Sequence, residues 1–311
     1  MTLELRKELE ASRKSTDTED AFDVLFTDRL GMIMTQLFIK IGFTPNMVTH
    51  LSMYFGIIGS LLFYTADVRK NALGVVMEIF SAVLDCSDGQ VARLTHSGSR
   101  LGRVLDGLSD GITAASIYIV LGLRLMNEPI PFSGGALWGV WIWPLVLFAG
   151  GYCHQSQCRM ADYYRMVHLH FLNNTNAGEL PRAKTLREEL NALPESAPLG
   201  ERLLLRFYCR YTGAQEARTP ALQRLLEYTE SCGGRIPADI AENYVSCSMC
   251  YIRLTNLLTF NLRAYTLFGM ILLGIPEFFF LFVIFVLGIL ERIMVNRYEN
   301  LAEVLLPEQG L

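Results

Sequence analysis

The chain has 311 residues, of which 51% are hydrophobic and 19% charged, with a formal net charge of −4 and a mean hydropathy of +0.28. That is too apolar for an ordinary soluble domain and fits an integral membrane protein with soluble extensions. The weakly acidic balance argues against nucleic acid as a partner, because it implies no strongly basic surface. Seven cysteines at irregular spacing do not read as a disulfide framework and are compatible with a reducing, cytoplasmic-side location.

Taken in chain order, residues 1–20 are charged, lack an apolar run, and read as a polar tail, helical or partly disordered, without a cleavable signal peptide. Residues 21–43, AFDVLFTDRLGMIMTQLFIKIGF, mix apolar stretches with Asp, Arg and Lys, which predicts an amphipathic helix lying in the membrane interface. Thr44-Pro45-Asn46 breaks this pattern and opens a new helix. Six segments approach the roughly 20 apolar residues needed to span a bilayer: 46–66, 72–92, 102–123, 135–153, 254–274 and 276–296. The loop 155–253 is polar and helical in pattern. LPRAKTLREELNAL has helical periodicity, Thr219-Pro220 starts a helix over ALQRLLEYTES, and Gly233-Gly234 stops it. Pro237 opens a further helix with a register compatible with running on into the fifth span. The expected fold is an all-α integral membrane protein with six transmembrane helices, an N-terminal interfacial helix and a helical cytoplasmic insert between helices 4 and 5. The divisions are 1–43, 44–154, 155–253, 254–296 and 297–311, with 172–236 read as a cap or regulatory insert. Six spans put Arg69, Lys70 and Arg124 on one side. They put Arg93, Arg100, Arg103, the basic residues from Arg159 onward, Arg292 and Arg297 on the other. The second side, with both termini, is therefore expected to face the cytoplasm.

The chemistry concentrates between the second and third spans, where the chain reads DCSDGQVARLTHSGSRLGRVLDGLSD from Asp85 to Asp110. Asp85 and Asp88 are three apart and Asp106 and Asp110 four apart, so each pair lies on one helix face. Two such faces turned together surround one point with four carboxylates. Ionised carboxylates at the end of an apolar segment require a partner, and all-oxygen ligands select hard cations such as Mg²⁺ or Mn²⁺. The competing reading is a salt-bridge network with Arg93, Arg100 and Arg103, which needs fewer carboxylates than are present.

The pattern D-x-x-D-G-x-x-A-R, eight residues, then G-x-x-x-D-x-x-x-D resembles the signature of the CDP-alcohol phosphotransferase family. Asp85, Asp88, Gly89, Ala92, Arg93, Gly102, Asp106 and Asp110 fill every position. The resemblance implies that Asp85, Asp88 and Asp106 ligate one or two divalent metals that also hold the donor diphosphate. Asp110 is then the general base and a further candidate ligand. It implies that Gly89 and Gly102 let the cytidine and ribose approach the backbone, with Ala92 beside them and Arg93 as a phosphate-side cation. The alternative for the two glycines is close helix packing. Asn46 and Thr49, in Thr44-Pro45-Asn46-Met47-Val48-Thr49, match a P-N-x-x-T element that the family often carries at its nucleotide site. Alone, that stretch is a helix start.

Acceptor recognition is read from arginines. Arg159 and Arg165 follow the fourth span together with His154, Ser156 and Asp162, and Arg263 lies inside the fifth span seven residues after Asn256, on the same helical face. An arginine within a span is a functional candidate, while pairing with carboxylates or a juxtamembrane belt with Tyr163 and Tyr164 is the plainer alternative. Cys247-Ser-Met-Cys250, and Cys153, His154 and Cys158, read as ordinary thiols and an ordinary histidine rather than as a zinc site. The function expected is transfer of a substituted phosphoryl group from a CDP-alcohol to a hydroxyl acceptor with release of CMP. CDP-diacylglycerol is the favoured donor, and CDP-choline or CDP-ethanolamine acting on diacylglycerol or a ceramide-like lipid is the alternative. A cation transporter and a non-catalytic scaffold fit the four aspartates less well. Membrane lipids are expected partners, and a homodimer is a candidate assembly.

Overall fold

Hydroxyl, carboxylate and proline residues set where the helices begin. In this computed structural model, which describes residues 26–173, 180–194, 196–232 and 236–307, helix α1 covers Asp28–Ile41 and ends on Gly42 in the left-handed region. Helix α2, Pro45–Leu62, has proline in its first turn and Thr44 as N-cap, whose Oγ1 accepts the Met47 N–H at 3.4 Å. Helix α3, Val68–Leu94, is capped by Asp67, which accepts the Arg69 N–H at 2.8 Å. Helix α4, Arg100–Leu125, is capped by Ser99, which accepts the Gly102 N–H at 2.9 Å. The expectations for the 1–20 tail, the first residues of the 21–43 segment and the Gly233-Gly234 stop fall outside the described residues.

The chain forms two compact units: the described residues of Met1–His154 with Phe260–Phe285, and those of Gln155–Thr259 with Val286–Leu311. In the first, α3 packs on α1 and α2, and α2 packs on α4. The α2–α3 crossing rests on two glycines. A Cβ at Gly74 would lie 2.8 Å from the Gly59 carbonyl oxygen and 2.7 Å from the Phe63 ring, and one at Gly59 would lie 3.0 Å from the Gly74 carbonyl oxygen. The backbones therefore touch, as small residues permit in membrane bundles.

Beside an apolar core of Phe38, Val48, Leu84 and Val91, this unit buries many polar side chains and exposes many apolar ones. Thr35, Thr49, Ser52, Ser60, Glu78, Ser81 and Ser87 are buried, while Tyr54, Ile58, Leu61, Val76, Ile112 and Ile119 are exposed. The buried hydroxyls bond across helices: Ser52 Oγ donates to the Ser81 carbonyl at 3.0 Å, and Ser60 Oγ donates to Ser116 Oγ at 2.8 Å. Apolar surface outside and hydrogen-bonded hydroxyls inside suit a lipid surrounding. Among the described residues, two helical stretches are long and apolar enough to cross a membrane, Val104–Leu125 and Glu277–Leu305. The molecule is all-α and membrane-associated.

Two expected segments differ in form. The fourth begins at Gly139 with a 3₁₀ turn and passes through α5, Ile142–Val146. It then widens to a π-helix over Leu147–His154 and continues as α6, Gln155–Asn173. The helix opened by Pro237, α10, Ala238–Leu257, does not run on. It stops, and α11, Phe260–Leu272, begins after a break at Leu258 and Thr259. The Leu258 and Thr259 N–H groups turn back to Thr255 and Asn256 carbonyls, which closes the helix without proline or glycine. The chain then continues through α12, Glu277–Leu281, a π stretch Phe282–Leu287, and α13, Gly288–Leu305.

In the second unit, α7 (Ala183–Ala192) packs on α8 (Leu199–Glu216), α9 (Pro220–Ser231) packs on α13, and α10 packs on α6 and α13. The expected starts at Pro220 and after Pro237 are those observed. The core of this unit is aromatic. Tyr164 stacks on Tyr298 with centroids 3.9 Å apart, and Phe171 stacks on Tyr244 at 4.0 Å. All seven cysteines are free thiols.

Replacing Gly74 by Ala should lower the melting temperature in detergent by an amount equivalent to about 1–3 kcal/mol, because the new methyl must displace backbone. Gly269→Ala, where an added Cβ meets nothing within 4 Å, should not. Equal melting temperatures for the two variants would show that the α2–α3 contact is looser than described.

Candidate active site

The site is built where α3 turns into α4. The last turns of α3 carry Asp85, Asp88, Gly89, Ala92 and Arg93, and the first turns of α4 carry Gly102, Asp106 and Asp110. The turn between them reverses the chain within Thr95–Ser99. His96 adopts a left-handed φ of 51°. The Ser97 N–H bonds the Ala92 carbonyl at 3.0 Å and the His96 N–H bonds the Arg93 carbonyl at 3.3 Å. This is the doubly bonded C-terminal cap in which glycine is usual. It leaves the two acidic faces opposed.

One carboxylate oxygen from each of Asp85, Asp88 and Asp106 lies within 4.8 Å of the other two. Asp110 lies one turn further along α4, near enough to Asp85 to interact with it electrostatically, and is not one of the three that converge. Asp88 is buried, Asp85 and Asp106 are half-buried, and Asp110 is exposed. At such separations each like-charged pair repels by about 3 kcal/mol at an effective dielectric constant near 20. A bound cation is one means of neutralising such a group. The donor set is entirely oxygen, which fits a hard divalent cation.

Helix α2 supplies the third wall. The Thr49 hydroxyl donates to Asp88 Oδ2 in a short hydrogen bond, and Ser109 Oγ donates to the Thr49 carbonyl at 3.4 Å. A Cβ at Gly102 would lie 3.3 Å from Asn46 Oδ1 and 3.1 Å from Ser99 Oγ, so Asn46 stands over Gly102. A Cβ at Gly89 would meet the Arg93 guanidinium, 3.1 Å from Nη1. Neither glycine abuts another helix backbone, in contrast to Gly59 and Gly74. The space over both is bounded by polar side-chain ends. Arg93 makes no ion pair with a described residue, so it does not supply the salt-bridge network weighed as the alternative. Ala92 is half-buried beside it.

Helix α1 holds the far side of α3 in a way the sequence did not announce. Thr35 Oγ1 donates to Gln90 Oε1 at 3.0 Å, Ser87 Oγ lies 3.1 Å from the Gly31 carbonyl, and Cys86 Sγ donates to Asp28 Oδ1 at 3.1 Å. Gln90 Nε2 donates to the Asp28 carbonyl at 3.2 Å. These contacts grip the turns that carry Asp85 and Asp88. The signal was the run of polar residues Cys86, Ser87 and Gln90 interleaved with the aspartates.

The arginines singled out for the acceptor divide between the two units, Arg159 and Arg165 in the second and Arg263 in the first. Arg159 stacks over the Tyr211 ring at 5.1 Å, and burial pushes the Tyr211 phenol above its ordinary value, keeping that ring neutral. Arg165 Nη2 donates to Asn256 Oδ1 at 2.6 Å. Ser156 Oγ donates to Glu291 Oε1 at 2.7 Å, an oxygen also held by Arg218. Arg263 is buried in α11, in the unit that contains the aspartates. Because the helix breaks at Leu258 and Thr259, Asn256 and Arg263 lie on different helices and do not share a face. His154 meets the Tyr118 hydroxyl through Nδ1 at 3.2 Å.

Comparison with known proteins agrees with the location of this centre. The chain is 34% identical over 79 residues to a putative cardiolipin synthase of Mycobacterium tuberculosis, covering 25% of this chain and 37% of that protein. It is 33% identical over 87 residues to a bifunctional IPC transferase and DIPP synthase of Thermococcus kodakarensis, covering 28% and 19%. It is 30% identical over 96 residues to an archaetidylinositol phosphate synthase of Pyrococcus horikoshii, covering 31% and 47%. The matched stretch thus spans less than half the length of each of these relatives. No solved structure matches. Residues 43–154, which contain α2, α3, α4 and the whole acidic centre, match the family described as CDP-alcohol phosphatidyltransferase.

Proposed function

We propose that the protein transfers a substituted phosphoryl group from a CDP-alcohol to a hydroxyl acceptor, releasing CMP. The observation that carries this reading is the meeting of Asp85, Asp88 and Asp106 within 4.8 Å, with Asp110 near Asp85. These residues would hold Mg²⁺ or Mn²⁺. Such an ion, when bound, supplies positive charge to the donor diphosphate. The chain's own residues do the rest. Thr49 fixes one oxygen of Asp88 and leaves the other for the centre. Asn46, Gly89, Ala92 and Gly102 border the room for the cytidine and ribose, and Arg93 faces the phosphates. Asp110, exposed, takes the proton from the acceptor hydroxyl as its oxygen bonds to the β-phosphorus. The phosphoanhydride bond breaks and its bridging oxygen leaves with CMP.

The favoured donor is CDP-diacylglycerol with a polar acceptor. Relatives named as synthases of cardiolipin, archaetidylinositol phosphate and phosphatidylinositol phosphate support a lipid-bearing donor. A phosphate on the acceptor would need cations to offset the diphosphate, which is the role proposed for Arg159, Arg165 and Arg263. CDP-choline or CDP-ethanolamine acting on diacylglycerol or a ceramide-like lipid is the alternative. In the membrane we read six crossings, with both termini and the acidic centre on the cytoplasmic side. The lysine and arginine asymmetry of the loops supports this orientation.

Purified protein incubated with CDP-diacylglycerol or CDP-ethanolamine, a panel of alcohols and Mg²⁺ or Mn²⁺ should release CMP. Asp85→Asn, Asp88→Asn and Asp106→Asn should each reduce that release by on the order of 100-fold while leaving the melting temperature within a few degrees. Metal-dependent release that survives all three changes would sink the assignment. Asp110→Asn should retain donor binding and lose turnover by about 10²–10⁴-fold. If binding fell in parallel, Asp110 would be mainly a ligand. Arg263→Ala should raise the acceptor KM well above any change in donor KM. Equal changes would place Arg263 at the diphosphate, and an unchanged acceptor KM would favour an uncharged acceptor.

A further inference from the structure

We propose that the exposed face of α8, together with the adjoining edge of α7, docks on an anionic lipid bilayer surface. Helix α8 buries Leu205, Thr212 and Gln215. On the opposite side Leu199, Leu203 and Phe207 follow at four-residue intervals and are 73%, 54% and 63% exposed. Four-residue spacing places them in one stripe along the helix. Arg206 and Arg210 lie on the same exposed side, three residues beyond Leu203 and Phe207. The stripe is therefore apolar with guanidinium groups along its edge.

Helix α7 extends the cationic edge. It meets α8 where Gly213 faces Ala183, and the cleft beside that contact is about 570 Å³, bordered by Arg187, Arg206 and Arg210. Lys184 and Arg187 border a second cleft with Glu188 and Glu216. Glu216 is already occupied, accepting the Ala183 N–H at 2.9 Å and lying 3.8 Å from Arg182. Lys184, Arg187, Arg206 and Arg210 make no ion pair or hydrogen bond with a described residue. A chain of net charge −4 thus carries a local cationic patch with solvated charges next to exposed aliphatic and aromatic side chains.

That combination identifies the occupant. A small anion would use the cations but leave Leu199, Leu203 and Phe207 in water. An acidic lipid surface uses both, with apolar side chains entering the acyl boundary and long cationic side chains reaching up to phosphates. The chain itself brings lipid near, because Val104–Leu125 and Glu277–Leu305 are long and apolar enough to cross a membrane. Tethering raises the effective concentration of headgroups, so a patch too weak to recruit a free protein suffices here.

The test uses the full chain in nanodiscs, with Leu203→p-benzoylphenylalanine as the crosslinking variant. Glu227→p-benzoylphenylalanine on exposed α9 surface is the control. Illumination should give lipid adducts at position 203 and few at 227. The yield at 203 should be several-fold higher in discs with about 30% phosphatidylglycerol or phosphatidylserine than in phosphatidylcholine alone. It should fall by roughly tenfold in high salt, at a screening length of about 3 Å, and in the Arg206→Glu/Arg210→Glu double variant. Equal lipid adducts at 203 and 227, a yield indifferent to lipid charge, or adducts to protein instead of lipid would each overturn the proposal. Leu203 and Glu227 belong to the second unit and the acidic centre to the first, so CMP release measured alongside reports on the proposed reaction separately.

Discussion

Carboxylates gathered at the ends of two helices, one buried and two half-buried, repel one another. Nothing else in the first unit is as costly to assemble, and its local structure is explained by that constraint. The Thr95–Ser99 turn joins α3 to α4, and α2 packs on both helices, which keeps the acidic faces toward one another. Thr49 neutralises part of the demand of Asp88 with a hydroxyl proton, and α1 clamps the other side of α3 through Thr35, Ser87 and Gln90. A centre assembled against repulsion is pre-organised for a cation, which loses less on binding than if the ligands had first to gather.

The surrounding helices meet the complementary requirement. In lipid, apolar side chains gain nothing by turning inward, so association depends on close backbone approach and hydrogen bonds. The Gly59–Gly74 crossing supplies the first, and the Ser52–Ser81 and Ser60–Ser116 pairs supply the second. The second unit is assembled differently. Its core is a stack of aromatic rings, Tyr164 on Tyr298 and Phe171 on Tyr244, with polar links such as His168 to Ser248. The two units therefore follow different rules within one chain.

What the sequence revealed tracks how local each signal is. The spacing of Asp85, Asp88 and Asp106 is helical arithmetic, and the three do meet. The starts at Pro45, Pro220 and after Pro237 follow from fixed φ angles and caps. The Leu258–Thr259 break was not legible, because L-T-N-L-L-T-F contains no glycine or proline and its cause is tertiary. Pairing Asn256 with Arg263 failed for that reason, and Asn256 belongs with Arg165 instead. The bond from Thr49 to Asp88 crosses 39 residues of sequence, so residue types alone gave it no more than a place near the site. The helix at Leu199–Glu216 also went unnamed. Its exposed stripe mixes leucine and phenylalanine with arginine, which blurs the two-faced pattern that periodicity detects.

The turn between α3 and α4 bears on how such a chain can change length. Exposed loops ordinarily absorb insertions and deletions without penalty. Here four of the five residues of Thr95–Ser99 are committed. Thr95 Oγ1 meets Ser97 Oγ at 2.6 Å, His96 takes the left-handed position, Ser97 closes the cap on Ala92, and Ser99 opens α4. One added or removed residue that fed into the helix would rotate α4 by about 100°. Asp106 and Asp110 would then turn away from Asp85 and Asp88 on α3. The eight residues between Arg93 and Gly102 thus act as a ruler: their number is constrained more tightly than their identity, although most of them lie at the surface.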